Sequence, residues 1–198
     1  KRAGAESIKE YKEMGYLPEA MVNFLVFLGW HPRDNREIFS LGEMMKEFSL
    51  ERAQKGGAIF DVEKLNWLNR EHLKMKTPGE LAAILKEYLD RTWISSGLDL
   101  GKIAVLARER VSRLADAAEE IKFFFEMPDY PKEMLFWKGG GESEKIAERL
   151  GRLEEIISAL PDSFLAKEIE AAVMPYAERE GRGEVLWPLR VSLSGREK

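Results

Sequence analysis

Apolar residues recur along this chain at intervals of three and four, and alternation of period two is nearly absent, so the pattern predicts helix after helix. Ala20, Phe24, Phe27 and Leu28 share one face of a helix whose first turn takes Pro18. Leu65, Leu68 and His72 lie along a second helix over residues 62–74. Start signals agree with this reading. Ser7, Ser40, Ser49 and Asp61 stand where a side-chain oxygen accepts from the free N–H groups opening helices over residues 8–13, 41–48, 50–54 and 62–74. Gly15 and the pair Gly56-Gly57 are natural stops. Thr77-Pro78-Gly79-Glu80 has the form of a capping box with proline in the first turn, opening a helix to residue 89. A long helix is predicted over residues 100–126, with the stripe Ile103, Ala107, Val111, Leu114, Ala118 and Ile121. Met127-Pro128-Asp129-Tyr130-Pro131 ends it, because proline lacks a donor and clashes with the preceding turn. Glycines 139–141 read as a flexible linker, and helices over residues 142–160, 163–179 and 183–194 follow. The expected fold class is all-α, in three helical parts: residues 1–74, 75–131 and 132–198.

Composition narrows the class without naming a function. The 198 residues are 44% hydrophobic and 33% charged, an ordinary globular balance. No apolar run approaches the roughly 20 residues of a spanning helix. The chain has no cysteine, which excludes disulfides and thiolate metal sites and agrees with a reducing cytoplasm. A net charge of −4 argues against a nonspecific nucleic-acid binder but leaves room for a local basic strip.

Little in the sequence reads as catalytic. His31 and His72 stand apart from one another and from carboxylates at ligand spacing, so both are read as structural and no metal site is expected. Glycines 139–141 lack the lysine-serine or lysine-threonine ending of a phosphate loop. The exception is the first half of the predicted long helix, where Lys102, Arg108, Arg110 and Arg113 are opposed only by Glu109. Arg110 projects beside the apolar stripe, three residues after Ala107 and four before Leu114. Two readings stand: an arginine laying its stem on the core with its head in water, which spacing alone favours, or a planar fork held to read a base edge or a phosphate. Trp187 and Arg190, three apart, pose the same choice between stacking on an exposed base and closing a helix end.

Longer stretches go further. Gly15-Tyr16-Leu17-Pro18-Glu19-Ala20, Asn23-Phe24-Leu25 and Leu28-Gly29-Trp30 resemble the glutamyl-tRNA synthetase pattern G-[YF]-L-P-E-A-x-x-N-[YF]-L followed by L-G-[WF]. Arg36-Glu37-Ile38-Phe39-Ser40-Leu41 is similar to that family's R-E-[IL]-F-[ST]-L, and Phe60-Asp61 with Lys64-Leu65-Asn66-Trp67-Leu68-Asn69 to its F-D-x-x-K-L-x-W-[ML]-N. Weaker matches continue at Asp129-Tyr130-Pro131, Pro188-Leu189-Arg190 and Leu193-Ser194-Gly195, so the resemblance spans the chain.

The resemblance implies a role for each part. Lys1-Arg2 match the last two letters of the family's K-[ML]-S-K-R loop, which makes Lys1 a contact to ATP phosphates. Residues 1–74 are expected to hold the end of that loop and the stem-contact fold. Residues 75–131 and 132–198 are expected to form two anticodon-binding subdomains. Arg110 aligns with the family arginine that reads an anticodon base, and Arg190 with another anticodon contact; Arg108, Arg113 and Trp187 join them as expected tRNA-binding residues. The nucleotide-binding domain with its H-[IV]-G-H signature is absent, so this portion is not expected to activate glutamate alone. The family's P-G-x-[FL]-E segment after Gly195 is absent as well, which weakens the expected anticodon binding. In the intact enzyme ATP, Mg²⁺, glutamate and glutamate tRNA are the implied cofactors and partners, in a cytoplasmic monomer. The competing expectation is a free-standing, non-catalytic tRNA-binding adaptor, against which the Lys1-Arg2 start argues. A helical structural protein would require three ordered motifs to coincide by chance.

Overall fold

The computed structural model describes residues 6–34, 36–54, 56–57, 59–161 and 163–197. Among them every regular element is an α-helix or a 3₁₀ turn, and the single bridge joins Trp30 to Ala53, which bears out the all-α expectation. The chain forms two compact units, residues 1–121 and residues 122–198.

The first unit begins with α1 (Ile8–Glu13) and α2 (Pro18–Phe27), followed by α3 (Leu41–Glu47) and α4 (Val62–Lys74). Its helix starts follow the caps. Ser7 with Glu10, Ser40 with Glu43 and Thr77 with Glu80 form reciprocal capping boxes, and Asp61 accepts from Glu63 N and Lys64 N. Tyr11, Tyr16, Met21, Phe24, Leu65 and Leu68 close one core, with α2 packed on α4. Two buried asparagines organise the polar groups inside it. Asn23 Oδ1 accepts from Phe39 N at 2.9 Å and from His72 Nε2 at 3.0 Å, while its Nδ2 donates to Glu37 O at 3.1 Å. His72 is thereby a buried hydrogen-bond donor, and the exposed His31 accepts at Nδ1 from Gln54 at 3.0 Å. The helix expected over residues 50–54 is only a 3₁₀ turn, Leu50–Arg52, and Ser49 makes no side-chain cap.

The unit continues with α5 (Pro78–Leu85), α6 (Arg91–Ile94), which the pattern did not predict, and α7 (Leu100–Arg108). Leu81 and Leu85 of α5 are buried, as are Ile103, Ala104 and Ala107 of α7, where the two helices pack together. The long helix expected over residues 100–126 does not form. α7 stops at Arg108, Arg113 is extended (φ −135°, ψ 135°), Leu114–Asp116 is a 3₁₀ turn and α8 (Ala117–Ile121) resumes. The stripe is nevertheless buried at Val111, Leu114 and Ile121, while Ala117 is buried in place of the expected Ala118, which is half-buried. Tertiary contacts described below hold the break, and they override a local pattern that suits helix throughout.

The second unit opens with 3₁₀ turns Lys122–Phe124, Lys132–Leu135 and Trp137–Gly139, then α9 (Ser143–Ser158), α10 (Ala166–Glu180) and α11 (Arg182–Ser194). Leu153, Val173, Ala177 and Val185 bring the three helices together. Residues 139–141, expected as a linker, lie inside this unit between the Trp137–Gly139 turn and α9. Trp137 lies on the start of α11, where a Cβ on Gly183 would collide with its indole ring.

Candidate nucleic-acid interface

The cations singled out from the sequence are handled very differently. Arg108, at the end of α7, is 19% exposed at its side chain and spends its donors inside the protein. Its Nη1 donates to Lys74 O at 3.3 Å and Lys76 O at 3.2 Å, and its Nε to Glu109 at 3.2 Å. Lys74 O is one of the orphan carbonyls at the end of α4, where a positive charge also opposes the helix dipole. Arg108 therefore fastens α7 to the α4–α5 joint. Arg113 is engaged as well: its Nε and Nη2 grip both oxygens of Asp116 at 2.8 and 3.0 Å. The Asp116 carboxylate raises the Arg113 pKa above its ordinary value, so the fork stays charged and fixed.

Arg110 is exposed and makes no side-chain hydrogen bond or ion pair among the described residues. It lines a polar groove of about 380 Å³ with Tyr16, Asn66, Ser112, Arg113 and Asp116. Burial holds the Tyr16 hydroxyl above its ordinary pKa against the opposing Arg113 charge, so it remains a neutral donor, bonded to Asn66 Oδ1. Glu120 lines the groove as well, so it offers the Arg110 guanidinium beside fixed acceptors and a fixed phenol, a surface suited to a polar, planar group that both donates and accepts.

In the second unit Arg190 is exposed, with one Nη1 contact of 3.5 Å to the carbonyl of Glu197. Trp187 is half-buried: its indole N–H donates to Met134 O at 2.7 Å and its ring meets Trp137 at 5.1 Å between centroids. That engagement supports the helix-end reading of Trp187. Lys1 lies outside the described residues. Among the described residues no group of three His, Cys, Asp or Glu side chains is placed to hold a metal ion, and no helix is long and apolar enough to cross a membrane.

Residues missed from the sequence carry the geometry around Arg110. Asn69 is fully buried; its Oδ1 accepts from Leu17 N at 2.8 Å, and its Nδ2 donates to Ser112 O at 2.7 Å and Gly15 O at 3.3 Å. Leu114 N donates to Gly15 O at 3.3 Å, and a Cβ on Gly15 would come within 2.5 Å of Ala115 N. Arg70 Nη1 donates to Ser112 Oγ at 3.2 Å. Gly15 and Asn69 belong to motifs noticed in the sequence, but no local signal says that they meet residues 112–115.

Comparison with known proteins extends this geometry. Residues 80–198 match the family model of the anticodon binding domain, and residues 1–67 that of the catalytic domain of class I tRNA synthetases (E and Q). A glutamate–tRNA ligase of Clostridium acetobutylicum is 36% identical over 100% of this chain and 41% of its own length; one from Phocaeicola vulgatus is 37% identical over 95% of this chain and 37% of its own. The crystal structure of a glutamate tRNA ligase from Elizabethkingia meningosepticum, in complex with its amino acid, aligns with a TM-score of 0.80 and 35% identity over 95% of this chain and 37% of that one. The chain thus spans about two fifths of the length of the relatives it matches.

Proposed function

Because this chain belongs to the glutamyl-tRNA synthetase family, we propose that it is the portion that holds glutamate tRNA and reads its anticodon within a glutamate–tRNA ligase. Residues 1–74 serve as the end of the signature loop and the stem-contact region. Residues 75–131 and 132–198 serve as the anticodon-binding parts. In the whole enzyme the glutamate carboxylate displaces pyrophosphate from ATP to give glutamyl-adenylate, and a hydroxyl at the tRNA 3′ end then attacks its acyl carbon and releases AMP. ATP and Mg²⁺ belong to the larger catalytic domain, apart from a phosphate contact by Lys1. The described residues provide no acidic cluster for the metal, so no step here runs through it. The working form is a cytoplasmic monomer.

The observation that carries this reading is Arg110: a guanidinium without a partner among the described residues, on a polar groove, between two arginines that are internally engaged. A bidentate fork on a base edge is worth about 1–3 kcal/mol of discrimination. Arg190 adds an exposed cation in the second unit. The test is titration of the chain with glutamate tRNA, glutamine tRNA and an anticodon-scrambled glutamate tRNA across salt, with Arg110→Gln beside it. Preference for the native anticodon that Arg110→Gln reduces supports the reading. Equal, salt-sensitive binding to all three leaves a backbone-contact module and removes Arg110 from the interface.

A further inference from the structure

Resting on the reading of Arg110 above, we infer that Gly15 and Asn69 are positioning residues for anticodon discrimination, setting the Arg110 turn from the other half of the first unit. The turn over residues 109–113 is tied to α7 on its near side, where Ala107 O accepts from Arg110 N at 2.9 Å and from Val111 N at 3.1 Å. α7 has ended, Arg113 is extended, and helix resumes fully only at Ala117. The fixed points of its far side, residues 112–115, come from elsewhere in the first unit. Asn69 Nδ2 draws in the carbonyl of Ser112, two residues after Arg110, at 2.7 Å. The orientation of the amide is settled by its partners, since Leu17 N–H requires an acceptor and the Ser112 and Gly15 carbonyls require donors. Leu114 N closes on Gly15 O, and the backbone approach at Gly15 leaves no room for a side chain.

These contacts cross between two differently matched parts of the chain. Gly15 lies within the residues matching the catalytic-domain model and Asn69 two residues beyond them, whereas Arg110 and Ser112 lie within the anticodon-domain match. Neither Gly15 nor Asn69 needs to touch RNA. Their effect passes through the backbone of residues 112–115 to the angle at which Arg110 leaves it. A contact that must present two N–H groups to one base edge is lost by a small rotation.

The experiment measures the ratio of affinities of the chain for glutamate tRNA and its anticodon-scrambled form. Four variants accompany the wild type: Arg110→Gln, Asn69→Asp, Gly15→Ala and, as a control for general destabilisation, Met44→Ala, whose side chain is buried on α3. Asn69→Asp keeps the acceptor for Leu17 N–H and removes both donors. The expected result is a ratio reduced about tenfold, to the Arg110→Gln level, in Asn69→Asp and Gly15→Ala, with the salt dependence of binding unchanged and Met44→Ala retaining discrimination. Loss in Arg110→Gln with full discrimination in folded Asn69→Asp or Gly15→Ala overturns this inference and leaves the role of Arg110 standing. A wild-type chain with no preference overturns both. Amide hydrogen exchange of the wild type provides a test that needs no variant to fold: the Leu114 N–H is expected to be as protected as the core of α4, and exchange at the rate of an exposed turn overturns the clamp.

Discussion

Each unit of this protein brings two segments together over a glycine, and the two approaches differ in what they press against. At Gly15 (φ 87°) a Cβ would meet the backbone nitrogens of Ala115 and Leu114, at 2.5 and 2.6 Å. At Gly183 the three nearest atoms all belong to the indole of Trp137, a side chain with two rotatable bonds. Backbone cannot step aside without moving the element it belongs to, whereas a ring can turn. The first unit therefore fixes the path of the chain beneath Arg110, while the second fixes the packing of Trp137 and Trp187 at the start and middle of α11.

This contrast can be broken by measurement. Gly15→Ala combines a left-handed backbone with a backbone clash and is expected to lower the urea-unfolding free energy of the first unit by about 3 kcal/mol. Gly183→Ala is expected to cost the second unit about 1 kcal/mol, and equal losses at the two glycines would end the distinction. The arginines sharpen it next. Arg108→Ala removes donors from two carbonyls and should cost about 1.5 kcal/mol in urea unfolding, whereas Arg110→Gln should stay within about 0.5 kcal/mol of wild type and alter only tRNA binding. A stability loss in Arg110→Gln as large as that of Arg108→Ala would place its guanidinium in the fold. Trp187→Phe keeps an aromatic ring but leaves the Met134 carbonyl without its donor, at about 1 kcal/mol, with tRNA affinity unchanged. Weaker tRNA binding in a folded Trp187→Phe would return that residue to the interface.

The smallest expected effect is that of pH at His72. Burial holds its pKa below the ordinary 6.5, with Glu19 opposing and Lys76 reinforcing the shift. The unfolded chain then binds the proton first as pH falls, so the contribution of His72 is complete above pH 6.5 and diminishes below it. His72→Gln should remove that part of the slope in unfolding titrations between pH 7 and 5; an unchanged slope would assign it to other groups.

The helix starts were legible because caps are local. Ser7, Ser40, Asp61 and Thr77 satisfy N–H groups two or three residues away, within the window a sequence pattern samples. The break after Arg108 was not legible, since the stripe from Ile103 to Ile121 suits one continuous helix and the contacts that interrupt it come from Gly15 and Asn69. The same limit applies to the interface. Charge and spacing selected Arg108, Arg110 and Arg113 together, and only the positions of Lys74 O, Lys76 O and Asp116 separate the two engaged arginines from the free one. Asp116 is three residues from Arg113, near enough for a sequence reading to have proposed the pair. The carbonyls that hold Arg108 lie more than 30 residues away and carry no side-chain signature.

The Asn69 amide also has a consequence in time. Its partners stand 43, 52 and 54 residues away along the chain, so none of its three bonds can form until loops of that length have closed. Closing a flexible loop of this size costs about 3 kcal/mol of chain entropy, which a single amide does not supply by itself. The α2–α4 and α5–α7 contacts must bear that cost first. Asn69 should therefore contribute little to the rate of folding and mainly restrain unfolding, so that the turn carrying Arg110 is set late as the chain folds.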